Sequence, residues 1–279
     1  MNWPILTVEG LSVTFPSLQG KVPAVRGVSF TVGREKVGIV GESGSGKSMT
    51  GRAILKLTPP RAQVEARHLR FRGIDLVAAS EREMRGIRGR RIGMILQDPK
   101  FALNPVQTVG RQIAEAFRIH RRASGTEAKQ RTLAMLEAVR IRNPHRVYDL
   151  YPHEVSGGMG QRIMIAMMLI PEPDLLIADE PTSALDVTVR ISVLRILDEL
   201  VSERGLGLIF ISHDLNLVAT FCDRVLIMYA GRIVESLPAA ELHAARHPYT
   251  RGLLESLPRI DERRARLPVL ARDPAWLIA

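Results

Sequence analysis

The sequence predicts an α/β fold with a mixed sheet and an inserted helical segment, and three observations predict it. Short apolar runs at Lys36–Val40, Leu175–Ala178 and Leu208–Ile211 each end in polar or glycine residues, the pattern of strands covered on both faces in a parallel sheet. A glycine-rich loop separates the first run from a segment with helical spacing. From about Pro99 to Glu154 the chain loses β-branched runs and becomes rich in Arg, Ala and Glu.

Each element follows from its spacing. An early strand-like stretch runs from Leu11 to Phe15, and Lys36–Val40 is the first buried strand. Met49, Ala53, Ile54 and Leu57 then recur at helical spacing, predicting a helix that lasts until Pro59-Pro60. Helical spacing returns at Ile113, Ala116 and Phe117, and again at Leu133, Leu136 and Val139. Between the two later strands, Val193, Leu194, Leu197, Leu200 and Val201 mark an amphipathic helix closed near Gly205, which completes a strand–helix–strand crossover. Val225–Met228 and Arg232–Val234 flank Ala230-Gly231 as a hairpin. No period of about 20 to 50 residues recurs, which excludes repeat architectures.

Composition narrows the class. A chain of 279 residues, 46% apolar and 24% charged, is long enough to bury a core without disulfides. Its one cysteine, Cys222, cannot pair within the chain or alone hold a zinc or iron–sulfur centre, and a reducing compartment fits. Met1–Gly10 lacks a cationic segment followed by an apolar one, so no export signal is expected. The apolar stretches Ile163–Ile170 and Leu206–Ile211 fall well short of the roughly 18 to 20 residues of a membrane helix. The net charge is +10, with only six lysines among the 39 basic residues. That charge is dispersed among glutamates and not interleaved with aromatics, so it reads as a solvated surface and no direct nucleic acid binding is expected.

Gly41-Glu42-Ser43-Gly44-Ser45-Gly46-Lys47-Ser48 matches the phosphate-loop pattern and lies between a strand and a helix, where that mechanism needs it. Glycines let successive N–H groups point at phosphate oxygens, and the helix start at Lys47-Ser48-Met49 adds a favourable dipole. Lys47 reaches the outer phosphates and Ser48 offers its hydroxyl to Mg2+, so the expected ligand is a nucleoside triphosphate. Asp179 and Glu180 end the Leu175–Ala178 strand. Adjacent residues leaving a strand point differently, which assigns Asp179 to the metal and Glu180 to an attacking water. An Asp-Glu pair also commonly starts a helix; the phosphate loop upstream decides for chemistry.

Ser156-Gly157-Gly158-Met159, followed by Gln161-Arg162, lies between these two motifs. With Gln97 after an apolar run, the turn Ser183-Ala184-Leu185-Asp186 and His213 after the next strand, the chain resembles the ATP-binding subunits of ABC transporters over roughly residues 5 to 235. The resemblance implies a P-loop NTPase core at 1–96 and 158–235, a helical subdomain at 97–157 with the signature at its end, and a C-terminal extension at 236–279. It implies that two cassettes pair head to tail, with Ser156, Gly157 and Gly158 of one serving the ATP on the other's phosphate loop. Glu180 would polarise the water, Gln97 would sense Mg2+ and that water, His213 would contact the γ-phosphate, and Asp186 would couple the two sites. Phe15 is the residue for stacking on adenine, although a core phenylalanine reads equally well there.

Gln97-Asp98-Pro99, Leu103-Asn104-Pro105, Tyr151-Pro152-His153-Glu154 and His247-Pro248-Tyr249-Thr250 are similar to the dipeptide, oligopeptide and nickel importer branch of that family. This implies uptake of a peptide-like or metal-chelate solute, with two membrane permease subunits, an external solute-binding protein and a non-identical second cassette, at the cytoplasmic face of the inner membrane. Residues 97–105 would help form a groove for a permease helix, although Asp-Pro and Asn-Pro are also ordinary turn dipeptides. Gly160 departs from the basic residue usual in the branch, and the cysteines that hold an iron–sulfur cluster in many members are absent, so none is expected. The rivals are an ATPase of a soluble phosphonate-degrading complex and, further behind, a nucleic-acid-associated ATPase. The latter would insert sustained heptads between loop and carboxylates, where here only about 130 residues intervene without them.

Overall fold

Apolar residues alternate along Leu6–Ser17 and make strand β1, with Leu6, Val8, Leu11 and Val13 buried. The alternation slips between Val8 and Leu11, where Gly10 takes φ 63° and a bulge returns Leu11 to the inner face. The computed structural model describes residues 4–18, 20–183, 185–257 and 276. These fall into two compact units, one of Pro4–Val77 with Phe210–Ala279, the other of Ala78–Ile209.

In the first unit β1 pairs antiparallel with β2 (Gly20–Val32). Strand β3 (Lys36–Val40) leads through the phosphate loop into helix α1 (Lys47–Ile54). The helix ends short of the Leu57 that spacing predicts. Lys56 turns left-handed at φ 51°, the Leu57 amide donates back to the Arg52 carbonyl at 2.8 Å, and Leu57 is left 47% exposed. Strands β4 (Gln63–Glu65) and β5 (His68–Phe71) both pair with β1, and β5 pairs with β6 (Ile74–Asp75).

The second unit opens with α2 (Glu81–Ile87), whose start carries a capping box between Ser80 and Glu83. Strand β7 (Ile92–Ile95) follows, then helices α3 (Pro99–Ala102), α4 (Val109–Arg121), α5 (Gly125–Ala138) and α6 (Pro144–Tyr148) in the stretch where strand-like runs are missing. Helix α7 (Gly157–Leu169) buries Ile163, Met164, Ile165, Ala166 and Leu169 and packs on α3, α4, α5 and β7. Strand β8 (Leu175–Asp179) is buried throughout and lies parallel to β7, a pairing anchored by the Arg91–Asp174 ion pair at 2.9 Å. Helix α8 (Val187–Arg204) closes on left-handed Gly205, and the amide of Gly207, first residue of β9 (Gly207–Ser212), donates to Asp174 at 3.0 Å, completing the crossover.

Back in the first unit, α9 (Leu215–Phe221) precedes β10 (Arg224–Tyr229), which is parallel to β3 and antiparallel to β11 (Arg232–Pro238), giving the mixed pattern. The hairpin turn is Ala230-Gly231 with φ 45° and 86°, both positive as a tight hairpin requires. Helix α10 (Pro248–Glu255) follows. No helix among the described residues is long and apolar enough to cross a membrane.

Candidate active site

The phosphate loop leaves β3 at Gly41 and enters α1 at Gly46, and its backbone has little room. A Cβ on Gly41 would collide with the Met228 carbonyl. At Gly46, which takes φ 102° as the residue before the helix, it would collide with the Ala24 carbonyl. Inside, the Ser45 amide donates to the Glu42 carbonyl at 3.1 Å. From outside, the Gly231 amide donates to the Ser45 carbonyl at 2.9 Å and the Glu42 amide to the Tyr249 hydroxyl at 3.2 Å.

Two side chains fit this loop for anions. Lys47 is 5% exposed, and its ammonium donates to the carbonyls of Gly41 and Glu42 at 2.8 and 2.9 Å, which holds a buried positive charge against the loop. The Ser45 Oγ is buried without a hydrogen-bond partner. Ser43 and Gly44 are exposed, with Gly44 at φ 82°, while Ser48 and Met49 are partly buried on the first turn of α1. The residues present therefore suit a polyphosphate: a tightly turned glycine backbone, a lysine, and an orphaned hydroxyl.

In the other unit Asp179 is the last residue of β8 and is 4% exposed. Glu180 takes φ 48°, an unusual backbone for a residue with a side chain, and the strain is one that functional sites hold. The turn redirects its carboxylate, and the Gln97 amide donates to it at 3.2 Å. Gln97 itself is exposed two residues after β7, so the parallel β7–β8 pair brings together two predicted residues 83 apart.

Ser156 is exposed at the start of α7 and caps it, accepting from the Met159 amide at 3.4 Å. Gly157 is exposed beside it, and Gly158 faces α8, where an added Cβ would lie 2.6 Å from Val189 Cγ1. Asp186 caps α8 by accepting from the Val189 amide at 3.0 Å, so signature and turn are built against each other. Ala184 of that turn lies outside the described residues. Gly160 is buried beside Pro99 of α3, where an added Cβ would meet the proline ring at ordinary contact distance. Asp98 caps α3, so Asp98-Pro99 starts a short helix, and the Asn104 side chain accepts from the Val106 amide at 3.1 Å in the turn at Asn104-Pro105.

His213 is exposed directly after β9. Phe15 is half-buried on β1 opposite Val22. Cys222 is 8% exposed, wedged near Gly38 and Val218, and burial pushes its thiol up to about 12, as suits a small core residue. The arginine-rich stretch after Leu257 lies outside the described residues apart from Trp276. Sequence reasoning tied none of Tyr249, Met228 and Gly231 to the loop that they support from behind; the His247-Pro248-Tyr249-Thr250 motif and the Ala230-Gly231 turn were visible without that link.

Residues 25–183 match the family described as ABC transporter, and residues 234–277 match the oligopeptide/dipeptide transporter C-terminal region. The chain is 50% identical, over 97% of its length and 81% of the relative's, to the probable peptide ABC transporter ATP-binding protein y4tR of Sinorhizobium fredii. It is 47% identical to the oligopeptide transport ATP-binding protein OppD of Bacillus subtilis, over 92% of this chain and 73% of that one. Among solved structures, the ATP-binding cassette MJ0796, in a dimeric post-hydrolysis state bound to ADP and Pi, superposes with TM-score 0.75 at 26% identity, covering 84% of this chain and 98% of that one. Motif order, fold and similarity over nearly the whole length agree, and the chain belongs to the ATP-hydrolysing subunits of ABC transporters.

Proposed function

We propose that this chain binds and hydrolyses Mg-ATP to drive an importer of a peptide-like or metal-chelate solute. The observation that carries the ATP half is the phosphate loop, with buried Lys47 and the unpartnered Ser45 hydroxyl in a cradle of glycines. The match of residues 234–277 to the oligopeptide/dipeptide transporter C-terminal region supports the solute class. So do the names of the relatives.

In this reading Gly41 to Met49 bind the phosphates, and Ser48, Asp179 and Gln97 would hold Mg2+, which would supply positive charge to the phosphate oxygens. Glu180, held by Gln97, accepts a proton from the attacking water, and His213 donates a hydrogen bond to the γ-phosphate. Phe15 stacks on adenine. Ser156, Gly157 and Gly158 serve the ATP of a second cassette: an exposed helix start offers N–H groups to a charge that arrives only when two cassettes close. Asp186 couples the two sites. Residues 97–105, within the helical subdomain 97–157, receive a permease segment.

The second cassette is a non-identical paralogue, and two permease subunits and an external binding protein complete the assembly on the cytoplasmic face of the membrane. Purification of the tagged chain from detergent-solubilised membranes tests this. Integral membrane subunits and a second cassette should come with it, and Lys47→Ala should abolish Mg-ATP binding. Recovery with a soluble lyase instead, or wild-type protein that does not bind Mg-ATP, overturns the proposal.

A further inference from the structure

A phosphate cradle works only if its backbone is held in one shape before the anion arrives, because ordering it on binding would subtract from affinity. Every loop N–H not aimed at phosphate also needs a partner of its own. The Glu42 amide finds its partner 207 residues away, in the hydroxyl of Tyr249 at 3.2 Å.

That hydroxyl is itself rigidly placed. Tyr249 is completely buried, its ring tilted against Tyr229 at 4.4 Å between centroids and flanked by Trp276 at 5.9 Å. Its backbone is pinned as well: the His247 Nδ1 accepts from the Tyr249 amide at 3.2 Å, and Glu235 Oε1 accepts from the amides of Arg246 and His247 at 2.7 and 3.3 Å. Tyr229 ends β10 at the hairpin whose Gly231 amide donates to the Ser45 carbonyl at 2.9 Å. One aromatic cluster thus stands behind both ends of the loop.

We propose that Tyr249 is a positioning residue for the phosphate loop, through which the C-terminal segment carrying α10 and Trp276 sets the affinity for nucleotide phosphates. The inference rests on the reading that this loop binds ATP. Removing the hydroxyl takes this partner from the Glu42 amide and lets the first turn of the loop sample other shapes.

Equilibrium binding of Mg-ATP and Mg-ADP to the full chain tests it with Tyr249→Phe, which keeps the ring. The dissociation constant should rise by about 3- to 10-fold for both nucleotides, the scale of one neutral hydrogen bond. Hydrogen exchange at the Glu42 amide should quicken by a similar factor while the amides of β10 keep their rates. Tyr229→Phe, which removes a hydroxyl from the same cluster without touching Glu42, should leave affinity as in the wild type. Unchanged affinity in Tyr249→Phe, or an equal loss in both variants, overturns the inference while wild-type binding still upholds the ATP reading. Wild-type protein without affinity for Mg-ATP refutes that reading instead. If Tyr249→Phe does not fold, exchange in the wild type decides: a protected Glu42 amide before nucleotide is added supports the proposal, and a freely exchanging one defeats it.

Discussion

The Gln97 side-chain amide donates to the Glu180 carboxylate at 3.2 Å, joining the second residue after β7 to the first after β8. Both strands are buried and parallel, so their polar ends emerge side by side. The left-handed backbone of Glu180, φ 48°, sends its side chain toward Gln97 instead of continuing the line of the strand.

Replacing Glu180 with Gln keeps the shape and removes the base. Mg-ATP affinity should stay within about twofold while phosphate release falls about a hundred- to ten-thousandfold, the usual weight of general-base assistance. Near-normal hydrolysis by the purified assembly would strip Glu180 of that role.

Gly158→Ala should destabilise the fold by about 1–3 kcal/mol, because the new methyl meets Val189 Cγ1 at 2.6 Å. Val189→Ala should recover most of that loss, which makes the pair a double-mutant cycle readable by urea unfolding. Additive effects of the two changes would show that the contact does not set the tolerance at Gly158.

Glu35 and Arg224 form a two-pronged ion pair, at 2.8 and 3.2 Å. Burial pushes the Glu35 carboxyl up, but the hydrogen bond and charge of Arg224, with the Gly33 amide, outweigh it and leave it below its ordinary value. A carboxyl lowered by folding stabilises fully above its unfolded pKa, about 4.3, and the contribution disappears as pH falls through the native value. Unfolding measured from about pH 6 down to about pH 3 should therefore show a loss that Glu35→Gln flattens. Identical curves for the two proteins would remove the pair from the acid response.

Cys222 should resist alkylation in the native protein near neutral pH, since its thiol is buried and pushed up to about 12. Labelling followed by mass spectrometry should be complete in denaturant and negligible without it. Stoichiometric labelling of the native chain within minutes would contradict the packing of α9 over Gly38.

The buried strands β3, β8 and β9, the crossover through α8 and the hairpin at Ala230-Gly231 were legible in the residues, since apolar runs and positive-φ turn residues are local signals. The sheet built on β1 and β2 was mostly invisible: the Gly10 bulge breaks the alternation that marks a strand, and β4 to β6 are two to four residues long. The end of α1 was misplaced because Leu57 keeps helical spacing while left-handed Lys56 turns the backbone away. Gln97, Asp179, Glu180 and Ser156 were named from motif order, yet nothing local says that Gln97 reaches Glu180.

Chemistry was written in the chain itself: the loop from Gly41 to Ser48, the carboxylates at Asp179 and Glu180 and the Ser156 helix start are contiguous stretches whose spacing carries their meaning. Support for that chemistry came only with folding. The Tyr249 hydroxyl on the Glu42 amide, the Gln97 amide on Glu180 and the Val189 wall against Gly158 join positions 207, 83 and 31 residues apart. Contacts between such distant positions arise from how helices and strands pack, and packing leaves no periodic trace in either partner's own neighbourhood.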